Sequence, residues 1–104
     1  MIAKFEVDVT QEDIELGQRS IRNLDNRCAR CAVARAVQRV TGLKKAEWAY
    51  DSGDVYDHFK AKRLTHSLAA SDKDKVIVGR FVTRHDRLEE VKPFSFTLEV
   101  EPAK

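Results

Sequence analysis

Apolar and polar residues alternate at both ends of the chain. The apolar positions are every second residue from Ala3 to Val9, and again every second residue from Phe94 to Val100. This period of two is typical of a strand with one buried face and one face in water. We therefore predict two terminal strands, and we expect them to pair because pairing ties down both ends of the chain.

A period near 3.6 residues predicts a helix within the segment from Arg27 to Gly42. Its apolar positions share one side of a helical projection: Ala29, Val33, Ala36, Val37 and Val40. The basic residues Arg30, Arg35 and Arg39 fall mostly on the other side, and Gly42 is suited to end the helix. We expect small side chains on the packed face and an arginine strip facing outward.

A short helical turn is predicted directly after the first strand. Thr10 followed by an acid at Asp13 is a helix-capping signature. We expect the turn to cover Gln11 to Leu16 and to stop at Gly17. Residues 17–26 are polar without a sustained period, which predicts a surface loop.

A hairpin is predicted from Trp48 to Phe59. Aromatic residues occur on both of its arms, and the D-S-G-D sequence at residues 51–54 is a turn signal. Residues 60–70 are first basic and then small, so we expect the end of a strand followed by a loop.

Residues 71–91 carry competing signals for strand and helix. Val76 to Val78 are β-branched, yet S-D-K-D at residues 71–74 is a capping signature. The residues that hold helical spacing are Ile77, Phe81, His85 and Leu88. Gly79 would cost about 1 kcal/mol inside a helix. We predict a helix on the basis of the spacing.

The predicted elements follow one another in the order βαββαβ. This order indicates an α+β domain over residues 1–104, with a small antiparallel sheet and two main helices. A ferredoxin-like sandwich has this element order and is one arrangement of it. Such folds carry many functions, so the order alone does not indicate one.

Charge is balanced overall but unevenly distributed along the chain. The 104 residues include 19 basic and 17 acidic side chains, a net charge of +2. From Arg27 to Lys45 there are basic residues and no acid, whereas acids collect on either side of this segment. We expect the folded molecule to have a basic and an acidic side. No signal peptide or membrane-length apolar run is evident, which favours a cytoplasmic protein.

The cysteine pair Cys28 and Cys31 is the sharpest chemical feature of the sequence. Two thiols at this spacing on a helix start are suited to half of a zinc site, but no histidine pair supplies a standard second half. A redox dithiol is the second interpretation, since a helix N-terminus and nearby arginines lower a thiol pKa. The third is that both are small buried residues that seat the helix. We expect no resident cofactor, with zinc as the alternative.

Three stretches resemble a group of small uncharacterised proteins from bacteriophages and actinobacteria. They are V-T-Q-E-D-I-E-L-G at residues 9–17, C-A-R-C-A-V-A-R-A-V at residues 28–37 and P-F-S-F-T-L-E-V at residues 93–100. The resemblance is thin from Lys44 to Ser71, and it departs at Ala32, where that group usually has proline. It implies a phage-type origin, with a cytoplasmic location in the host, and no known chemistry.

Motifs for catalysis are absent from the sequence. It contains no phosphate-binding glycine loop, no G-x-S-x-G and no H-E-x-x-H. His58 and His66 near Asp54 and Asp57 could form an acid and base cluster, but on a hairpin such residues are more often structural. We therefore predict a protein that is not an enzyme.

The basic helix face is the predicted contact surface. The residues assigned to it are Arg27, Arg30, Arg35, Arg39, Lys44, Lys45 and Trp48. We expect a phage-type binding protein that engages a host protein, for example in counter-defence, or sequesters a phosphate-bearing ligand. A nucleic-acid-binding module that stacks bases on Trp48 or Tyr50 is an alternative. A solvated helix face paired with nearby acids is the plainest interpretation. A homodimer is compatible with each of these, and a membrane is not an expected partner.

Overall fold

The structure, a computed structural model, describes residues 2–22, 30–57 and 63–103. Within these ranges the chain forms the following helices and strands in order: β1 (Ala3–Val9), α1 (Gln11–Arg22), α2 (Ala32–Thr41), β2 (Ala46–Ala49), β3 (Ser52–Asp57), β4 (Arg63–Ala70), α3 (Lys75–Asp86) and β5 (Phe94–Pro102). The strands make one sheet in the order β1-β5-β4-β3-β2, and every neighbouring pair is antiparallel. The α+β class and the antiparallel sheet are confirmed.

The two terminal strands pair as predicted. β1 and β5 run antiparallel in a register that places Val7 opposite Phe96 and Phe5 opposite Leu98. Because side chains alternate between faces, Val7, Phe96 and Leu98 point into the core, where each is at most 2% exposed. The alternation read from the sequence therefore marks the buried face of both strands correctly.

The helical connections differ from those of a ferredoxin-like sandwich. α1 and α2 lie between β1 and β2, which occupy opposite edges of the sheet, and α3 joins the adjacent strands β4 and β5. In a split βαβ unit, the two strands that a helix connects have one other strand between them. Here β1 and β2 have three strands between them, and β4 and β5 have none. The chain also has one strand more than predicted, and the predicted helical turn after β1 is a full helix, so the ferredoxin-like alternative is wrong.

α1 begins where the capping signature predicts but extends past Gly17. The Thr10 hydroxyl accepts a hydrogen bond from the Asp13 amide at 3.2 Å, and the Asp13 carboxylate accepts one from the Thr10 amide at 3.0 Å. The helix continues to Arg22, so the predicted stop at Gly17 is wrong. Gly17 is a packing residue instead, because a Cβ there would lie 2.6 Å from the backbone nitrogen of Ala32.

α2 packs its small residues into the core and ends at Gly42. Gly42 has φ of 77°, a left-handed conformation that glycine adopts without strain, and its amide donates to the carbonyl of Gln38. The buried residues of the helix are Ala32, Val33, Ala34, Ala36 and Val37. Val33, Ala36 and Val37 are packed as predicted. Ala32 and Ala34 are buried without having been predicted, and Val40, which was predicted, is 36% exposed. Ala29 lies outside the described residues.

The hairpin forms, but its turn consists of Tyr50 and Asp51, whereas the turn signal lies at residues 51–54. Tyr50, with φ of 56°, and Asp51 connect β2 to β3, while Ser52 and Gly53 pair with Ala49 and Trp48. The turn signal at residues 51–54 was misleading because Gly53 serves packing. A Cβ at Gly53 would collide with the backbone carbonyl oxygen of Glu47 and would lie 3.0 Å from Cε3 of Trp48. The missing side chain therefore lets the two strands approach closely and leaves room for the indole.

β4 is the element that the sequence analysis missed. Residues 63–70 were expected to be a strand end and a loop, yet they form the middle strand of the sheet. Its buried apolar side chains include Leu68 and the small Ala70. Such small residues give a weak alternating signal, which explains the error.

The helix prediction for residues 71–91 is confirmed by α3, although its buried face differs. Phe81 and His85 are buried as expected, whereas Ile77 and Leu88 are 55% and 39% exposed. Val78 and Val82 complete the packed face instead. The helix therefore presents an apolar residue, Ile77, to solvent.

Candidate functional site

Cys31 starts α2 and contributes to its capping. Its backbone is extended, with φ of −69° and ψ of 165°, and its Sγ accepts a hydrogen bond from the Ala34 amide at 3.4 Å. The side chain is buried, at 3% exposure. The third interpretation of the cysteine pair was that both residues are small and buried and seat the helix. The position of Cys31 agrees with that interpretation, and its side chain also caps the helix.

The zinc and dithiol interpretations stay predictions. Cys28 and His58 lie outside the described residues, so the second thiol and one candidate ligand are not placed. Among residues 2–22, 30–57 and 63–103, no group of three or more His, Cys, Asp or Glu side chains is arranged to hold a metal ion. In the same ranges, no helix is long and apolar enough to span a membrane.

Arg39 binds an acid within the molecule. Its Nη1 atom donates to both carboxylate oxygens of Asp13, at 2.7 and 2.9 Å, and its Nη2 atom donates to the carbonyl of Asp8 at 2.7 Å. The Asp13 side chain is only 7% exposed, whereas that of Arg39 is 47% exposed. Arg39 therefore ties α2 to the start of α1 and to β1, and its guanidinium is largely committed to the fold.

Arg35 is also held by internal contacts. Its Nε atom donates to the carbonyl of Arg30 at 2.8 Å, and its Nη2 atom donates to the hydroxyl of Ser20 at 2.9 Å. These bonds join α2 to α1 and to Arg30, two residues before the first residue of α2. Two members of the predicted arginine strip thus have structural roles, in line with the plainest interpretation of that strip.

Trp48 must be removed from the predicted contact residues. It is 2% exposed, its ring packs 5.7 Å from that of Phe96, and its indole N–H donates to the carbonyl of Tyr50 at 2.9 Å. A ring buried in this way cannot stack on a base or anchor a partner without unfolding part of the sheet. The prediction was wrong because strand alternation places Trp48 on the inner face.

The other predicted contact residues lie on the helix side or next to it. Arg30 is exposed at the start of α2, and Lys44 and Lys45 are exposed in the turn that follows Gly42. Arg27 lies outside the described residues. Arg30 therefore lies near one end of α2 and Lys44 and Lys45 near the other, with Arg35 and Arg39, which are held by internal contacts, between them.

The open face of the sheet is acidic. The acids that alternate with buried strand residues are Glu6, Asp8, Glu47, Asp54, Glu99 and Glu101. Glu47 and Asp54 lie directly opposite each other across β2 and β3, although like charges in that position repel. Lys4, opposite Glu99, is a basic residue on this face. The two-sided charge predicted from the sequence is therefore present, and the acidic side is the outer surface of the sheet.

A groove on the helix side was not predicted. It lies between α3 and the connecting residues 89–93 and has a volume of about 650 Å³. Apolar residues and three cations line it, including Ile77, Phe81 and Phe94 with Arg80, Arg84 and Lys92. In the described part of the chain these cations make no ion pair.

A sequence signal for this groove existed. Arg80 and Arg84 are four residues apart on α3, and Ile77 precedes Arg80 by three, so all three lie on neighbouring turns of one helix face. Helical spacing groups Ile77 with Phe81 and His85, which are buried, and this grouping hides the mixed apolar and basic surface. Residues 90–93 line the groove because the connection after α3 runs back along that helix. The periodicity of the sequence does not indicate this path.

No protein-family model, no curated protein and no solved structure matches this chain. The resemblance to small phage and actinobacterial proteins stays a prediction. The interpretation of the surface therefore depends on the geometry and charge described above.

Proposed function

We propose that the protein is a small binding protein, without catalytic activity, that engages an acidic partner protein through its helix side. The observation that supports this is the separation of charge between the two faces. Exposed cations on the helix side include Arg30, Arg80 and Arg84, alongside the exposed acids Glu12 and Glu15 of α1. The charged residues on the open face of the sheet are mainly acids, with Lys4 as a basic residue among them. The phage-type resemblance suggests that the partner is a host protein.

Charge separation of this kind favours one orientation of an approaching partner. An acidic surface is attracted to the helix side and repelled by the acids around Glu6 and Glu101 on the sheet. Such complementarity contributes to association rate and to selection among partners more than to affinity. A short-range contact that supplies affinity is therefore needed as well, and the exposed Ile77 on α3 gives the helix side apolar surface.

The nucleic-acid alternative has less support. One of its two stacking residues, Trp48, is buried, whereas Tyr50 is 53% exposed. The acids Asp54 and Glu47 on the sheet would repel phosphate. Cations on the helix side could still contact phosphate. The two functions differ in how steeply binding should fall as the salt concentration rises, because binding to nucleic acid releases counterions. Binding to a mixed-sequence DNA duplex or to single-stranded RNA that falls steeply between low and physiological salt would favour the alternative.

Charge-matched variants test the proposed function. Tagged protein would be used to capture partners from host-cell lysate, comparing wild type, Lys44→Gln with Arg84→Gln, and Lys4→Glu. Both variants lower the net charge by two, but the first changes the helix side and the second changes the open sheet face. We expect the helix-side variant to lose most of a partner that wild type and Lys4→Glu recover equally. Equal loss from both variants, or loss only with Lys4→Glu, would contradict the assignment of the surface.

A further inference from the structure

The floor of the groove beside α3 is aromatic. The rings of Phe81 and Phe94 lie 4.6 Å apart, and Phe94 in turn packs 5.9 Å from Phe96 in the core. Ile77, which is 55% exposed, forms part of the wall. An apolar side chain placed here would contact rings that the core already holds in position, so little reorganisation is needed.

The rim of the groove is positively charged. Arg80 and Arg84 stand on the α3 side and Lys92 on the opposite side, with Glu90 as an acid in the same lining. All three cations are exposed, and none forms an ion pair within the described residues. Guanidinium groups without internal partners can bind carboxylates in a paired geometry, which selects an acidic ligand.

The connecting residues offer unpaired backbone groups. Glu89 is fixed at one end, since its amide donates to the carbonyl of Arg84 at 3.0 Å and its carbonyl accepts from Gln18 at 3.0 Å. Residues 90–92 make no backbone hydrogen bond to the described part of the chain. Pro93 biases Lys92 toward extended backbone. Unpaired amides and carbonyls on such a segment can pair with an added strand.

We infer that this groove binds an extended acidic segment of the partner protein. An apolar side chain of that segment lies on Phe81 and Phe94, and its flanking carboxylates bind Arg80 and Arg84. Its main chain hydrogen-bonds to residues 90–92. The inference rests on the proposed function, and it names the site and the class of partner segment on the helix side.

A synthetic peptide provides the probe. It carries two leucines that alternate with aspartates and are flanked by further aspartates, with a fluorescent label for anisotropy. Three control peptides replace the aspartates by lysines, replace the leucines by alanines, or N-methylate the central amides. We expect each change to weaken binding, because each removes one of the three contacts: charge, apolar burial or main-chain pairing.

Protein variants locate the site. Arg80→Gln with Arg84→Gln should weaken binding of the aspartate–leucine peptide by about tenfold, since both charge-assisted contacts are lost. Lys4→Gln with Arg19→Gln removes the same charge at two exposed positions that are not assigned to the contact surface, and should change binding less than about twofold. Ile77→Asp should also weaken binding. Melting followed by Trp48 emission would establish that all variants are folded.

Three results would overturn all or part of the inference, and the first two differ in what they say about the proposed function. If Arg80→Gln with Arg84→Gln bound the peptide like wild type while Arg30→Gln with Lys44→Gln lost binding, the groove would be wrong while an acidic partner on the helix side would still stand. If no acidic peptide bound while the lysine peptide did, the acidic partner would be wrong as well. Binding that survives N-methylation unchanged would overturn the main-chain pairing.

Discussion

The imidazole of His85 lies against the backbone of Gly17, where α3 meets α1. A Cβ on Gly17 would be 2.6 Å from Nε2 of His85 and also 2.6 Å from the backbone nitrogen of Ala32. His85 is 1% exposed, and its Nε2 atom has no hydrogen-bond partner among the described residues. Three helices therefore meet at one glycine, and they approach closely because it has no side chain.

The first prediction follows from this contact. Gly17→Ala should lower the free energy of unfolding by about 1–3 kcal/mol, because the added methyl group overlaps a backbone atom that cannot rotate away. This outcome runs against helix propensity, which favours alanine over glycine by about 1 kcal/mol. Urea unfolding followed by Trp48 emission measures the change. Arg19→Ala, an exposed position in the same helix, is the control and should stay within about 0.5 kcal/mol of wild type. A Gly17→Ala protein that is more stable than wild type would contradict the close packing.

A second prediction concerns Tyr50 and Gly79. The Tyr50 ring lies over Gly79 of α3, so that a Cβ on Gly79 would fall 2.6 Å from one ring carbon, Cε2. Tyr50→Asn removes the ring and keeps a residue that tolerates φ of 56°. In that background Gly79→Ala should stabilise the protein by about 1 kcal/mol, through helix propensity alone.

In the wild-type background, Gly79→Ala should be neutral or destabilising because the methyl group must displace the ring. A double-mutant cycle by urea unfolding measures the difference, which we expect to reach about 1 kcal/mol. Additive effects of the two substitutions would mean that Tyr50 does not rest on α3 in solution.

A third prediction concerns the buried carboxylate of Asp13. It accepts hydrogen bonds from the Thr10 amide and from Arg39, so Asp13→Ala removes a helix cap and a buried charge pair together. We expect a loss of about 1–3 kcal/mol in the free energy of unfolding. Arg35→Ala, which breaks bonds to neutral acceptors only, should cost less. Equal costs for the two variants would contradict the central role of the Asp13 and Arg39 pair.

A fourth prediction concerns pH and Asp74. The backbone N–H of Thr97 donates to its carboxylate and lowers the pKa of Asp74 below 3.8, with smaller contributions from Ser71 and Lys73, while burial acts in the opposite direction. Because the folded-state pKa is lowered, this stabilisation is fully present above about pH 4. It is lost as the pH falls through the lowered value.

The substitution Asp74→Asn tests the direction of this pH dependence of stability. We expect the variant to melt below wild type at pH 7, and the gap in melting temperature to shrink as the pH is lowered toward 2. A gap that is the same at both pH values would show that ionisation of Asp74 does not contribute to stability.

Periodicity predicted those elements whose residues follow one pattern. The alternation in β1 and β5 places Val7 and Phe96 correctly, and Gly42 ends α2 as expected. These features depend on local spacing or on a single backbone conformation, both of which are visible in the sequence. The capping of α1 by Thr10 and Asp13 is predictable for the same reason.

The roles of residues that contact distant parts of the chain were predicted wrongly. Gly17 and Gly53 were interpreted as a helix stop and a turn residue, whereas each makes room for a distant or cross-strand neighbour. Ile77 was assigned to the core because it shares helical spacing with Phe81, yet it is exposed. The groove needs residues 89–93 to return along α3, and no local pattern encodes that contact.

The most direct test of the central claim is an amide NMR titration of the wild-type protein with the aspartate–leucine peptide. If the helix side binds acidic partners, the largest shifts should map to α3 and to residues 89–93, and amides on the acid-covered strand positions such as Glu6 and Glu101 should change little. Shifts that cluster on the open face of the sheet would contradict the account, as would a titration without saturable shifts while the lysine peptide gives them.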